Sequence, residues 1–203
     1  MPFRPLAEAQ IVIETHTASL VAIIEDCHRE YIRVCGSILH ILEGGTKAGI
    51  VRDLIVGKLR GWADSTPGVQ FFQKGNLSWV GFENSWIARV KMLDDRFHVG
   101  VSPTEASDQY NRNTIPDSVQ GTLLEGEAAS LLYLGWRTTE NSPMTPEIAL
   151  VCNNQYGEPG WVWPLRGAEP PPGLLLPIPD APDTGDEGQK RIRVKANKTS
   201  KEA

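Results

Sequence analysis

The feature that most constrains the fold is a change in the spacing of apolar residues at Pro67. Before this proline, apolar residues recur every three or four positions, which is typical of helices that bury one face. After it, they fall in short bursts rich in β-branched and aromatic residues, separated by Gly, Asn and Pro. A helical part followed by a strand part predicts an α+β protein. The alternating helix–strand pattern of nucleotide-cofactor folds is absent.

Residues 1–64 are predicted to form a helical region built as a hairpin of two helices. Helical spacing predicts a first helix over residues 7–42, whose apolar stripe comprises Leu20, Ile24, Cys27, Tyr31, Val34, Ile38 and Ile41. Gly44 and Gly45 are predicted to end this helix, because glycine tolerates the left-handed conformation at a helix terminus. Thr46 is the predicted N-cap of the second helix, over residues 47–63.

Residues 65–167 are predicted to form a mainly antiparallel sheet domain packed with the helical region. Short apolar runs rich in β-branched and aromatic residues predict strands at 69–72, 77–82, 86–93, 131–136, 148–152 and 161–165. The first three should form a meander, because only four residues separate the first strand from the second and three separate the second from the third. The strand pattern gives no direct indication of how the later strands pair.

One short helix is predicted to be inserted into the sheet domain. Ser102, Pro103 and Glu105 have the spacing of a capping box, with Ser102 as the N-cap and Pro103 at the first helical position. The helix is predicted to end near Asn111.

Residues 168–203 are predicted to be a disordered tail. This segment begins with a run of prolines, which excludes helix and central sheet, and continues with charged and small residues. Its six acidic and six basic residues balance, so the net charge of −5 belongs to residues 1–167. Nucleic acid is therefore not an expected partner of the body. In the tail, a basic cluster of Lys190, Arg191, Arg193 and Lys195 leaves contact with nucleic acid or an acidic surface open.

The sequence predicts a cytoplasmic protein without a membrane span. It has no run of about 18 apolar residues, the length that a transmembrane helix needs. The first residues, MPFRPL, do not resemble a signal peptide. The sequence has three cysteines, which is a small and odd number for a disulfide framework. This count fits a reducing compartment.

No motif in the sequence identifies a reaction, a cofactor or a metal site. The Walker A spacing, the Gly-x-Ser-x-Gly elbow and the ligand spacings of zinc sites are all absent. A metal-dependent nuclease of the restriction type needs an acidic residue two positions before its lysine, and Arg89 occupies that position before Lys91. Such a nuclease, with Arg89, Lys91 and Asp94 in its site, remains the enzymatic alternative.

The strand over residues 86–93 is the predicted interaction surface. Alternation places Ala88, Val90 and Met92 on one face, which we expect to be buried, and Arg89 and Lys91 on the other face. A face that mixes charge with aliphatic bulk is typical of a surface that is partly covered or faces a partner. The interaction candidates are therefore Arg89, Lys91, Asp94 and Trp86, an aromatic residue of the type enriched at interfaces.

The part of the chain from about residue 61 to residue 165 resembles a family of bacterial proteins without an assigned mechanism. The segments that carry the resemblance are 87–94, 102–106, 134–136, 148–152 and 161–165. Members of this family have a helical N-terminal part followed by this sheet. They are encoded beside Xre-type repressors and ImmA/IrrE-type metallopeptidases, in toxin–antitoxin or phage-related modules. The resemblance implies a protein partner from the same operon and supplies no catalytic residues.

These observations together favour binding over catalysis. We expect a non-enzymatic interaction protein, or a regulatory subunit of a toxin–antitoxin, phage or stress-response module, with no cofactor. The alternative function is a toxin-like enzyme that acts on nucleic acid. The two differ in whether the polar groups near Lys91 converge in a cleft.

Overall fold

The computed structural model describes residues 4–100, 104–114, 129–139 and 142–167. Four helices lie in these ranges: α1 (Leu6–Ile13), α2 (Thr17–Cys35), α3 (Gly44–Asp64) and α4 (Glu105–Asn111). Six strands accompany them: β1 (Val69–Lys74), β2 (Leu77–Phe82), β3 (Trp86–Met92), β4 (Ser130–Thr139), β5 (Ser142–Asn153) and β6 (Pro159–Arg166). The predicted α+β class is confirmed, with N-terminal helices followed by a mostly antiparallel sheet.

The six strands form one sheet in chain order, and only its central pair is parallel. Strands β1–β2, β2–β3, β4–β5 and β5–β6 pair antiparallel, whereas β3 and β4 pair parallel. A parallel pair requires a long connection, and the segment that contains α4 supplies it. As a result, β3 and β4 end at the same edge of the sheet, where Met92 lies beside Trp136.

The sheet is the middle layer of the molecule and buries both of its faces. On one face, α1, α2 and α3 pack through residues such as Leu20 and Leu59 onto Val90 and Leu150. On the opposite face, a second core joins Tyr110 of α4 and the 93–99 loop to strand residues that alternate with those of the first core. Each strand of the central pair is therefore covered on both sides.

The helical region differs from the prediction in where its helices begin and end. A 3₁₀ turn at Glu14–His16 divides the predicted first helix, and α2 ends at Cys35, before a second 3₁₀ turn at Gly36–Ile38. The prediction that Gly44 and Gly45 end a helix is wrong, because they begin α3, with Glu43 as its N-cap in place of Thr46. Neither glycine has a positive φ, so neither uses the conformation on which the prediction depended.

The predicted inserted helix is confirmed, but its N-cap is a different residue. The side chain of Thr104 accepts a hydrogen bond from the Ser107 amide at 3.3 Å, and α4 ends at Asn111. Ser102 and Pro103 lie outside the described residues. Threonine is also a favoured N-cap, although it ranks below serine, so the choice between two neighbouring hydroxyl residues depended on the path of the chain.

The six predicted strands are confirmed, each at the predicted place and most of them longer. The tight turns also match, since Gly75 has a φ of 57° between β1 and β2, and Asn84 has a φ of 54° between β2 and β3. The predicted tail, residues 168–203, lies outside the described residues. Within the described residues, no helix has the length and apolarity that crossing a bilayer requires.

Candidate functional site

A groove opens at the sheet edge where β3 and β4 end, between this edge and helices α2 and α3. It consists of two adjoining cavities of about 380 and 230 Å³. Ala48, Met92 and Trp136 line both cavities and join them into one space. We call this space the α3–β4 groove. It has the position at which open sheets with parallel strands place their ligands, outside the carboxyl ends of the strands.

The groove exists because the first turns of α3 carry small residues where they pass the sheet. Gly44, Ala48 and Gly49 line it, and the space that larger side chains would fill stays open. One turn further along, Val51 is buried and closes the helix onto the sheet. On the opposite wall, Met92 is 45% exposed, although it belongs to the face of β3 that was predicted to be buried. Because the strand ends there, no helix covers it fully.

The charged side chains that line the groove are all basic. Lys47 lines the larger cavity, while Arg52 and Lys91 line the smaller one. Among the described residues, no Asp or Glu lines either cavity. Lys91 Nζ donates a hydrogen bond to the Gly100 carbonyl at 3.2 Å. Burial lowers the pKa of Lys91, and the neighbouring Arg89 and Arg52 guanidinium groups lower it further, so this end of the groove is electropositive.

Arg52 is held in place by two partners outside the groove. Its guanidinium donates to the Asn76 carbonyl at 2.8 Å and to Asp53 Oδ1 at 2.9 Å. These bonds fix the direction of the side chain and use part of the guanidinium's five N–H donors. Asp53 offsets part of the positive charge of Arg52, and Lys91 has no such carboxylate among the described residues.

Tyr31 provides a buried polar group in the wall of the larger cavity. The residue is 6% exposed, and its hydroxyl has no hydrogen-bond partner among the described residues. Burial raises the pKa of Tyr31, so the hydroxyl keeps its proton and can donate as well as accept. A buried hydroxyl without a partner carries an energetic cost that a bound polar group would remove.

Two of the predicted interaction residues are not on an open surface. Trp86 is 1% exposed and packs edge-on against Trp161, with ring centroids 6.2 Å apart. Arg89 is 9% exposed, and its guanidinium lies over the Tyr110 ring at 4.9 Å. Neither side chain is therefore open to a partner in this structure, and their role in an interaction stays a prediction. The parallel connection brings α4 across the face of β3 that carries Arg89, whereas Trp86 lies on the opposite face, in the core shared with α1, α2 and α3.

The other two interaction residues lie at separate places near the end of β3. Lys91 reaches the α3–β4 groove, whereas the Asp94 carboxylate accepts hydrogen bonds from the Arg96 and His98 amides at 2.8 Å each. Asp94 forms no described ion pair with Arg89 or Lys91. Within the described ranges, no group of three His, Cys, Asp or Glu side chains is arranged to hold a metal ion. The tail cluster at residues 190–195 lies outside the described residues.

An exposed apolar patch adjoins the groove at the connection between α2 and α3. Val34 is 62% exposed, Ile38 41% and Ile41 67%, although the sequence placed all three on the buried stripe of the first helix. Cys35, the last residue of α2, is still buried, so Val34 lies on the solvent side of the helix, and Ile38 and Ile41 follow after the helix has ended. We call these three residues the α2–α3 patch. Leu39, between two of them in sequence, lines the groove.

A polar network that the sequence did not indicate connects the loops on the opposite face. His98 Nε2 lies 2.8 Å from Glu158 Oε2, and its Nδ1 lies 3.5 Å from Asp94 Oδ2. Sequence reasoning treated His98 as an isolated loop residue, because its two acidic partners are brought together only by the fold. The buried Asn113 is part of the same region and bonds to β4 and β5. These contacts hold the loops together.

Comparison of the chain with protein-family models, curated proteins and solved structures gives no match. The function must therefore be inferred from the groove, the patch and their chemistry.

Proposed function

We propose that the protein is a non-enzymatic interaction protein of the cytoplasm that acts as a regulatory or accessory subunit of a toxin–antitoxin, phage or stress-response module. Its expected partner is an Xre-type or ImmA/IrrE-type product of the same operon. The observation that carries this proposal is the α2–α3 patch. Its three residues make up half of the six large apolar side chains that are exposed among the described residues.

The composition of the patch supports a protein partner. Val34, Ile38 and Ile41 are exposed within a span of eight residues, and water solvates such apolar side chains poorly. Single exposed apolar residues are common on monomers, but clustered ones mark interaction sites. Met92, 45% exposed at the edge of the adjoining groove, supplies a flexible side chain that can adapt to a partner.

The test is direct association with the products of the neighbouring genes. Each product is co-expressed with this chain, and the complex is measured by size-exclusion chromatography and calorimetry. The double variant Ile38→Asp and Ile41→Asp should weaken association by at least about 100-fold, since each substitution places a charge where an apolar side chain would be buried against the partner. The matched control is Ile11→Asp, which changes an 80% exposed isoleucine on α1 and should leave association unchanged.

Two results would contradict the proposal. Equal loss of association in the Ile11→Asp control and in the patch variant would show that the patch has no special role. Cleavage of RNA or DNA by the purified protein with added magnesium, lost on Lys91→Ala, would establish the nuclease alternative instead.

A further inference from the structure

We infer that the α3–β4 groove is a binding site for a small amphipathic carboxylate, an aliphatic chain of fatty-acid type that ends in a carboxylate. The chain would lie in the larger cavity and the carboxylate would reach the smaller cavity. This inference concerns a different surface from the α2–α3 patch and does not depend on a protein partner.

The larger cavity has the size and the walls for an aliphatic chain. Its volume of about 380 Å³ lies within the roughly 300–1,000 Å³ of small-ligand sites. Ile32, Leu39, Val51, Met92 and Trp136 provide apolar contacts along its length. A methylene chain placed there would be removed from water, which favours binding by about 0.8 kcal/mol per buried CH₂.

The smaller cavity has the charge for a carboxylate. Lys91 and Arg52 line it, and Lys47 lines the adjoining larger cavity. The Lys91 ammonium has three N–H donors, and its described hydrogen bond, to the Gly100 carbonyl, uses one of them. An anion at this point would also reduce the repulsion among Lys91, Arg89 and Arg52, which now acts against the charged form of the lysine. A cationic headgroup would instead add to this repulsion.

Tyr31 supplies an independent indication that something polar is missing from the groove. Its hydroxyl is buried, lines the larger cavity and has no hydrogen-bond partner among the described residues. A plain methylene chain in this cavity leaves the bond unmade, whereas a hydroxyl or keto oxygen carried on the chain would complete it.

The experiment compares headgroups on one chain length, with the full-length protein and isothermal titration calorimetry. The probes are decanoate, decylamine, decanol and acetate. Decanoate should bind at least about tenfold more tightly than decanol, as expected for charge-assisted hydrogen bonds, and decylamine should bind more weakly than decanol. Acetate should not bind measurably, because it lacks the apolar chain.

Variants then assign the binding to the groove. Lys91→Met and Arg52→Gln should each weaken decanoate binding by about tenfold and leave decanol binding unchanged. Lys58→Met is the matched control. Lys58 lies on α3, the helix that carries Arg52, but its Nζ is 3.5 Å from Glu30 Oε2, outside the groove. Thermal unfolding of each variant confirms that it is folded. Arg52 is held at the rim of the groove, so we expect Arg52→Gln to fold. This variant therefore still tests the inference if Lys91→Met does not fold.

Several results would overturn the inference. They are equal affinities for decanoate and decylamine, absence of decanoate binding, or an equal effect of Lys58→Met and Lys91→Met. A peptide of residues 170–179 that displaces decanoate and binds more tightly would assign the groove to this segment of the chain and would also overturn it. A decanoate affinity that exceeds those of the other probes and falls only in the groove variants would establish the site.

Discussion

The Asn113 side chain joins two strands of the sheet to the segment that follows α4. Its Oδ1 accepts a hydrogen bond from the Leu131 amide of β4 at 2.9 Å, and its Nδ2 donates to the Asn153 carbonyl of β5 at 2.9 Å. Its φ of 56° is in the left-handed region, which asparagine adopts more readily than most residues. The side chain thereby fixes the start of β4, which determines the register of the parallel pair.

Removing this side chain should destabilise the protein strongly. Asn113→Ala leaves the Leu131 amide and the Asn153 carbonyl buried without their partner, and we expect a loss of about 3 kcal/mol in the free energy of unfolding. Asn113→Gly loses the same bonds but accommodates the positive φ, so it should be about 1 kcal/mol more stable than the alanine variant. Urea unfolding measures both values. Equal stabilities for wild type and Asn113→Ala would show that these bonds contribute nothing.

Cys152 makes stability sensitive to alkaline pH. Burial raises the pKa of its thiol from 9.0 to about 12, although a hydrogen bond from Asn113 opposes the shift. The folded state therefore favours the neutral thiol, and this contribution is fully present below pH 9.0 and is lost as the pH rises toward 12. Burial shifts the pKa of Tyr133 in the same direction, from 10.0 to about 12.

We expect the free energy of unfolding to fall above the ordinary thiol pKa, and less steeply in a Cys152→Ala variant. One such group lowers the free energy of unfolding by about 1.4 kcal/mol for each pH unit between its unfolded and folded pKa values. The variant loses that share of the slope, while its stability at neutral pH also falls because a cavity forms. Urea unfolding at about pH 8, 9, 10 and 11 measures both slopes. Parallel curves for the two proteins would contradict the assignment to Cys152.

At the scale of elements, two substitutions test which residue is the N-cap of α4. Thr104→Ala removes the acceptor for the Ser107 amide and should lower the free energy of unfolding by about 1 kcal/mol. Ser102→Ala, at the residue that the sequence predicted as N-cap, should change it by less than about 0.5 kcal/mol, as substitutions without such a role usually do. Chemical denaturation of both variants distinguishes them. A larger effect at Ser102 would favour the sequence-based cap.

The elements that sequence reasoning placed correctly are those with a strong local pattern. The strands near residues 79 and 89 alternate or cluster apolar residues between clear turn residues, and α4 follows a capping signal. The errors fall at glycines and hydroxyl residues, where the local chemistry permits two outcomes. Gly44 suits the end of a helix and also its start, and only the packing of α3 on the sheet selects the start.

At the scale of the whole molecule, the candidate site could not be predicted from local patterns. The parallel pairing of Met92 with Trp136 joins residues 44 positions apart, and no local signal specifies such a pair. Sequence reasoning selected Lys91, which does reach the groove, but it grouped Lys91 with Trp86 and Arg89, which are buried. Arg89 is buried by the cover that α4 provides, a consequence of the same long-range pairing, whereas Trp86 is buried in the core beneath the N-terminal helices.

The buried core of the whole molecule also indicates which parts of the chain must be present for folding. One core cluster includes Leu6 of α1, Leu59 of α3 and Trp161 of β6, so the helices and the sheet share buried surface. Removing residues 170–203 should shift the melting temperature by less than about 4 °C, because this segment consists mainly of proline, charged and small residues and has few that could join a core. A fragment of residues 65–167 should instead show no cooperative thermal transition, because its helix-facing sheet surface would be exposed to water. Circular dichroism and calorimetry measure both outcomes. A larger shift on removing the tail would indicate that it packs on the body, and a cooperative transition in the fragment would show that the sheet folds without the helices.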